Sequence, residues 1–376
     1  MSSFAFGSEP TVGIEEELLL VDEHSLELAP VTRAVLDAME ADPAVAGHDA
    51  YSAQIELRSP PSSSVGDAVA ALGALRERAL TAGATLMGSG LHPAAAWGDA
   101  ELVPGSRYEL VADELRGLLR RTPESALHVH VGLPDEHAAI RAFNALRPHV
   151  PLLLGLAANS PFWFGVDSGM ASSRFALSRA YPGRGVPRVL RDIDDLEELT
   201  TATLAAAGLH EATFLWWDLR LHPRYGTVEL REMDAQASVE NVAALAALVR
   251  ALVLEAADGT PHGPDEPSEA LAWSAFRAAR DGVDANLLDG GKPRPLADVA
   301  RATVERLRPI ARDAGDEDAL EGVESILEAG GATRQRTAFS TGGMAGLLRS
   351  LVEETADARF LRASSPRRPR SPHGAE

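Results

Sequence analysis

The chain has no cysteine and a single lysine, Lys292, in 376 residues. Without cysteine there is no disulfide framework, no thiolate metal site and no thiol nucleophile. Lys292 lies in "GGKPRP", outside any GxxxxGK[ST] pattern, so a Walker-type phosphate loop is excluded and Schiff-base chemistry has little support. Positive charge is short overall: the net charge is −20. That argues against a general nucleic-acid or anionic-membrane binder. Long apolar runs are also missing. The most apolar helix-like stretch, "VAALAALVRALVLEAA", is broken by Arg250, and no signal-peptide pattern opens the chain. The expected location is the cytoplasm. An apolar content of 45% is enough to bury a sizeable core.

Periodicity organises what is present. Residues 11–22 and 53–58 alternate as strands, as does "ALHVHVG" at 126–132. Residues 65–86 read as an amphipathic helix started by the serines at 62–64, and 106–122 as another. Pro134 opens a helix that Pro148 and Pro151 bend and "NSPFW" ends. The Gly-, Ser- and Pro-rich residues 165–187 read as a long functional loop. "FLWWDLRLHPRYGTVELREMD" reads as two strands joined by a turn at Pro223–Gly226, and helices dominate from 239 onward. "DGTPHGPDEP" is a loop. With no repeat and no linker, residues 1–363 are expected to form a single catalytic domain. The Pro- and Arg-rich residues 364–376 should form a disordered tail.

Four of the strands share one unusual pattern. Strand side chains alternate faces. In "TVGIEEELLLVD", Gly13, Glu15, Glu17 and Leu19 share one face, and Glu16 belongs to the other. In "AQIELRS", Gln54, Glu56 and Arg58 oppose Ile55 and Leu57. In "ALHVHVG", His128 and His130 oppose Leu127, Val129 and Val131. In "GTVELRE", Thr227, Glu229 and Arg231 oppose Val228 and Leu230. A solvated face would account for any one of them. It accounts poorly for all four, because Glu15 and Glu17 stand roughly 7 Å apart by strand rise. At an effective dielectric of 20 that is about 2 kcal/mol of repulsion if both are ionised. A divalent cation removes the cost, and an oxygen-rich carboxylate cluster suits Mg²⁺ or Mn²⁺ with substrate phosphates completing the shell.

These segments also resemble a known family. "GIEEELLLVD", "QIELRSP", "HVHVGLPD", "NSPFWFGVDSGMASSR", "WWDLRLHPRYGTVELREMDAQ" and "GATRQRTAF" are similar, in consistent order from about residue 10 to 360, to the YbdK-like carboxylate-amine ligases of the glutamate–cysteine ligase type 2 family. The resemblance implies an α+β fold of the glutamine synthetase/guanido kinase-like kind. In it an antiparallel sheet forms a funnel-shaped active site flanked by helices. It also implies ATP- and Mg²⁺-dependent joining of the glutamate γ-carboxylate to an amine, with cysteine as the expected acceptor, through an acyl phosphate. On this resemblance Glu15, Glu17, Glu56 and Glu229 hold metal, with His128 beside both metal and nucleotide and His130 less firmly placed. Arg231 faces the transferring phosphoryl group and Arg174 a substrate carboxylate. Two departures bear on the pocket: Glu232 stands where an uncharged residue is usual, and "HPAA" (His92–Ala95) lacks the Phe common after the proline.

Trp217, or its neighbour Trp216, is a candidate to stack on adenine, against a packing role for at least one of them. Asp218 and Arg220 have each other as the simplest partners. The arginines of the last helices read as a solvated face. Expected partners are amino acids and ATP, with no nucleic acid or membrane, and a homodimer is left open. Two other classes stay open: a metal-dependent hydrolase built on "HVH", and a non-catalytic nucleotide-binding relative.

Overall fold

The alternation of β1 (Val12–Leu20) organises the molecule. Val12, Ile14, Leu18 and Leu20 are fully buried, while Gly13 and Glu15 keep partial exposure. The computed structural model describes residues 4–7, 9–259 and 266–357. The further strands are β2 (Ala46–His48), β3 (Gln54–Arg58), β4 (Leu86–Met87), β5 (Ala126–Gly132), β6 (Phe162–Trp163), β7 (Val166–Asp167), β8 (Leu219–His222), β9 (Thr227–Asp234), β10 (Asn286–Asp289) and β11 (Lys292–Pro295). Seven of them make one open antiparallel sheet in the order β2-β3-β1-β5-β9-β8, with β4 paired to the end of β1. β6–β7 and β10–β11 are separate hairpins.

One face of the sheet is apolar and is covered by helices. The helices are α1 (Thr32–Ala38), α2 (Val65–Thr81), α3 (Ser106–Leu115), α4 (Glu136–Leu146), α5 (Val150–Ala157), α6 (Ser173–Ser178), α7 (Ile193–Ala207), α8 (Val239–Ala257), α9 (Ser268–Asp281), α10 (Leu296–Asp313), α11 (Glu317–Glu321), α12 (Val323–Glu328) and α13 (Gly331–Thr355). α8 is buried almost all round, so it is apolar almost all round; it packs on α2, α4, α10 and α11. Ile55, Leu57, Leu127, Val129, Val131, Val228 and Leu230 belong to the same core. The α+β architecture matches the expectation from the sequence.

Several boundaries differ from the sequence reading, each for a local reason. α2 starts where expected, with the Ser64 hydroxyl accepting from the Asp67 amide, but it stops at Thr81. Gly83 then turns the chain with φ of 88° and Leu86–Met87 join the sheet. The second helix ends at Leu115, where Arg116 takes φ of 52°, and a 3₁₀ turn over Arg116–Arg120 replaces its expected end. The proline-bent helix divides into α4 and α5 around a 3₁₀ turn at Arg147–His149. The expected long loop at 165–187 contains the short α6, capped by Ser172. The β8–β9 turn needs Gly226: φ is 61°, and a Cβ there would strike the Ala5 backbone. The 258–267 loop lies mostly, and the 364–376 tail wholly, outside the described residues.

Glu16, the middle acid of the "EEE" run, points into the apolar side. There Arg76 of α2, with no solvent exposure, donates to both of its oxygens at 2.5 and 3.0 Å. Arg76 also donates to the carbonyls of Ala237 at 2.7 Å and Gln236 at 3.0 Å. The pair therefore joins β1, α2 and the segment leading into α8. Removing one partner strands a charge in a dry core. Arg76→Met should cost roughly 3–5 kcal/mol of stability. Pairing it with Glu16→Leu should recover much of the loss, because no charge is then left unpaired. Urea midpoints at unchanged slope measure both; equal stability of Arg76→Met and the parent chain would remove the pair from the core's account.

Candidate active site

The other face of the sheet floors a cleft of about 1200 Å³. Register explains how the floor is assembled. Glu15 stands opposite Arg58 on β3 and His128 on β5, and Glu17 stands opposite Glu56. His130 stands opposite Glu229 on β9, and Glu229 opposite Arg220 on β8. Residues far apart in sequence thus fall into rows across five strands. Glu15, Glu17, Glu56, His128, His130, Arg174, Glu229 and Arg231 all line the cleft.

A β-bulge refines the row. Val129 pairs with Leu230 and Leu127 with Met233, so Arg231 and Glu232 together oppose His128 alone. A bulge of this kind lets two successive residues share a face. Arg231 stays on the cleft side with Glu229, and Glu232, which does not itself line the cleft, accepts from Arg184 at 3.1 Å. The charged residue at 232 is thereby paired and 1% exposed.

The electrostatics of the floor follow from crowding. Two groups bring ligand atoms within 4.8 Å of one another: Glu15, His128 and Glu229; and Glu17, Glu56 and His128. His128 is shared. Its Nδ1 is 3.4 Å from Glu15 and its Nε2 is 3.8 Å from Glu17. Glu229 is clamped by Arg220 at 2.8 and 3.1 Å and by Arg231, and Glu56 is paired with Arg58. Burial alone would raise the Glu229 carboxyl, but Arg231 and Arg220 hold it well below the usual range. Glu15 is likewise held low against burial by His130 and His128. Burial, with Arg231 nearby, lowers His128 to about 4, which leaves it neutral and able to ligate a metal. For Glu17 the balance falls the other way: burial and Asp49 outweigh Arg174, the Ala126 amide and Arg231 and push it up to about 8.

Donor chemistry fits divalent cations at both groups. The atoms are mostly carboxylate oxygens with one neutral imidazole, a hard set suited to Mg²⁺ or Mn²⁺. The Nε2 of His130 is buried with no hydrogen-bond partner, 3.6 Å from Glu15 and 3.8 Å from Glu229. His130 therefore faces the first group without closing it.

The remaining expected residues fall as follows. Arg174, on α6, is 1% exposed, lies 3.6 Å from Asp234 and donates to the carbonyls of Glu232 and Arg231. Trp217 is 7% exposed and packs in the main core, away from the cleft, so the expected stacking on a nucleotide does not fit its position. Its neighbour Trp216 lines the cleft beside Tyr181. Asp218 and Arg220 do not pair with each other. Asp218 takes Arg179 at 2.7 Å, and Arg220 takes Glu229. His92 is a buried structural residue whose Nδ1 accepts from the amides of Ala94 and Ala95. Sequence reasoning missed Tyr51, Tyr108, Tyr181 and Tyr225, the chain's only tyrosines, all of which line the cleft. It also missed Glu124 and Arg184, which have no strand alternation to mark them.

Comparison with known proteins makes the chain an ATP-dependent ligase, an enzyme that forms a C–N bond. The chain belongs to glutamate–cysteine ligase family 2, whose family model matches residues 11–354. A Rubrobacter xylanophilus protein, provisionally named glutamate–cysteine ligase 2-1, is 36% identical over 343 residues, covering 89% of this chain and 91% of its own length. The glutamate–cysteine ligase of Natronomonas pharaonis is 31% identical over 363 residues, covering 93% and 97%. Among solved structures, a Francisella tularensis glutamate–cysteine ligase in complex with AMP superposes with a TM-score of 0.66 at 14% identity, covering 95% of this chain and 92% of that one. At that identity the likeness speaks to the fold. Among the described residues no helix is long and apolar enough to cross a membrane.

Glu17 supplies a test that does not need turnover. A carboxyl raised from 4.5 to about 8 in the folded state favours folding below its unfolded value, and that contribution is lost as pH rises through about 8. The metal-free protein should therefore melt lower as pH climbs through this window, and Mg²⁺ at pH 8 should restore the loss. Glu17→Gln should flatten that part of the profile. At pH 7, metal binding should release about one proton, seen as a buffer-dependent calorimetric enthalpy. A buffer-independent enthalpy, with identical melting profiles for both chains, would remove Glu17 from the metal seat.

Proposed function

We propose that the protein joins the γ-carboxylate of L-glutamate to the amino group of an acceptor, with L-cysteine the expected one, through an acyl phosphate. The observation that supports this most is the pair of acidic groups sharing His128, bordered by Arg58, Arg220 and Arg231 on one sheet face. A carboxylate is a poor electrophile. Its oxygen attacks the γ-phosphorus of ATP and ADP leaves; the acceptor nitrogen then attacks the acyl carbon and phosphate leaves. Phosphoryl transfer of this kind needs positioning and charge neutralisation more than covalent help from the protein. That suits a chain without cysteine and with one exposed lysine.

Each residue then has a task its position allows. Glu15 and Glu229 would hold one Mg²⁺ and Glu17 and Glu56 another, with the neutral His128 ligating one of the two through its single unprotonated nitrogen. Bound there, the cations neutralise phosphate oxygens and hold them in place. Arg231, whose Nε has no partner among the described residues, faces the phosphoryl group. Arg174, on the cleft floor, offsets the negative charge of the acid substrate. Trp216 and Tyr225 offer rings at the cleft wall for a base. The hydrolase alternative finds less support, because both candidate ligand groups join His128 to two carboxylates, and oxygen donors favour Mg²⁺ over Zn²⁺.

Release of ADP across pairs of amino acids, with and without Mg²⁺, tests the reading. ADP should form only when acid, acceptor and metal are all present. Hydrolysis without ATP, supported by Zn²⁺, would overturn it. Arg231 gives the finer test. A guanidinium can fork onto two phosphate oxygens, and an ammonium cannot. Arg231→Lys should lower turnover by at least about tenfold, roughly 1.4 kcal/mol of barrier, with a smaller change in ATP affinity. Near-normal turnover with a lowered melting temperature would return Arg231 to a structural partner of Glu229.

A further inference from the structure

Three arginines from one short segment meet three acids, two on β9 and one just before β8. Arg174 on α6 faces Asp234, Arg179 grips Asp218 at 2.7 and 3.3 Å, and Arg184 binds one oxygen of Glu232 at 3.1 Å. Asp218 has no solvent exposure and Glu232 is 1% exposed. Main-chain bonds close the same contact. The Gly185 amide donates to the Asp218 carboxyl group at 3.1 Å, and the Asp218 amide donates to the Gly185 carbonyl at 3.1 Å. The Arg231 amide donates to the Asp218 carbonyl at 2.9 Å. Gly185 is needed there: its φ is 142°, and a Cβ would press on the Arg179 guanidinium at 3.3 Å. What this clasp holds is cleft wall. Tyr181 and Arg184 line the cleft from the segment. Trp216, two residues before Asp218, lines it from the chain entering β8, its ring 6.2 Å from that of Tyr181.

One atom of the cluster is left over. Glu232 Oε1 is buried and has no donor among the described residues. The Asp218 carboxyl group lies within hydrogen-bonding reach of Glu232. Two carboxylates are acceptors only, so they bond when a proton lies between them. We infer that Asp218 and Glu232 share one proton and act as positioning residues, joining residues 179–185 to the sheet so that Tyr181 and Arg184 keep their places in the cleft wall. The proton belongs on Asp218. Burial, then Glu232, push its carboxyl up to about 7, while Arg179, Arg184 and Arg174 hold Glu232 below the usual range against burial. The other charges near the pair are engaged elsewhere. Arg231 is turned to Glu229, and Asp234 takes Arg174 and the hydroxyls of Ser160 and Ser172. Glu124, which feels Arg184, accepts from Tyr181. A carboxyl raised in the folded state adds stability below its unfolded value and loses it as pH rises through the folded one. The clasp is therefore firm in acid and looser as pH reaches about 7.

Residue-resolved hydrogen exchange at the Gly185 and Asp218 amides, corrected for the intrinsic effect of pH, reads the clasp in the whole chain without metal or substrate. Protection in the parent chain should fall as pH rises from acid toward 7, and level off above it. The fall should reach at most about tenfold per pH unit, the limit for one proton. Asp218→Asn carries a donor for Glu232 at every pH, so its protection should not change with pH. Glu232→Gln removes the neighbouring charge and supplies its own donor, so the fall should move to lower pH. Melting curves confirm that each variant folds, and the second keeps the test open should the first not fold. Glu17 titrates close by, at about 8, so Glu17→Gln should retain the parent's profile at these two amides. A pH-independent parent, a parent-like profile in either amide variant, or loss of the profile in Glu17→Gln would overturn the shared proton. Exchange at these amides that merely follows the urea stability of the whole fold in every chain would overturn the positioning role.

Discussion

Like charge crowded onto one face of a sheet is the constraint on which the rest of the structure depends. Glu15, Glu17, Glu56 and Glu229 share the floor of a cleft backed by an apolar core, where the dielectric is low and repulsion is large. The fold answers three of them with their own partners: Arg58 for Glu56, Arg220 and Arg231 for Glu229, and His130, with a hydrogen bond from His128, for Glu15. Glu17 has burial only partly offset, by Arg174, the Ala126 amide and Arg231, and is pushed up to about 8. That residual imbalance is what a cation would correct. It also suits arginine rather than lysine at Arg58, Arg220 and Arg231, since a guanidinium stays charged when buried and forks onto a carboxylate where an ammonium would lose its proton.

The same constraint separates the three glutamates of the opening strand. Glu15 and Glu17 face the cleft and share in its charge balance, whereas Glu16 faces the core and could be there only with a partner of its own. Arg76 is that partner, and the carbonyls of Gln236 and Ala237 satisfy its remaining donors. A buried pair is weak evidence for added stability, because desolvation offsets much of the attraction. Its effect here is on geometry: β1, α2 and the entry to α8 are fixed together, and β1 is the strand from which both acidic groups draw a ligand.

Strand alternation made most of the floor legible in the sequence. Period-two patterning assigns a face without reference to any partner, so Glu15, Glu17, Glu56, His128, Glu229 and Arg231 could be placed on one surface before their neighbours were known. What escaped has a common physical cause: it depends on contacts across long sequence separations. The partner of Glu16 sits 60 residues away on a helix. The pairing of Asp218 with Arg179 rather than Arg220 joins the end of α6 to the residue before β8, a long-range meeting that local sequence cannot express. The bulge at Arg231–Glu232 is a register event between two strands. The swap of Trp217 for Trp216 at the cleft wall is a one-residue matter of phase after an irregular 3₁₀ turn, where no period exists to set it. Glu124 and Arg184 lie outside the regular elements and gave no pattern at all.

The late "GATRQR" motif shows how a segment can matter to the site without touching it. Neither Gln335 nor Arg336 lines the cleft. Gln335 is 2% exposed and donates to the main-chain and side-chain oxygens of Asn159 at 2.8 and 2.9 Å. Gly331 is required beside it, because a Cβ would strike the Asn159 side chain. The Asn159 amide donates to Asp234 at 2.8 Å, and the hydroxyls of Ser160 and Ser172 donate to the same carboxylate at 2.7 and 2.9 Å. Asp234 in turn faces Arg174 at 3.6 Å. Arg336 fixes the other end of the segment through Asp167 and the Met170 carbonyl. α13 thus tethers residues 159–173 at two points, and that segment sets where α6 begins and where Arg174 enters the floor. Buried side-chain networks of this kind hold geometry because every donor and acceptor in them limits the others. Arg174 is not on a strand, so the sheet's own register cannot position it. The helix motif supplies from outside the precision that alternation supplies to the rest.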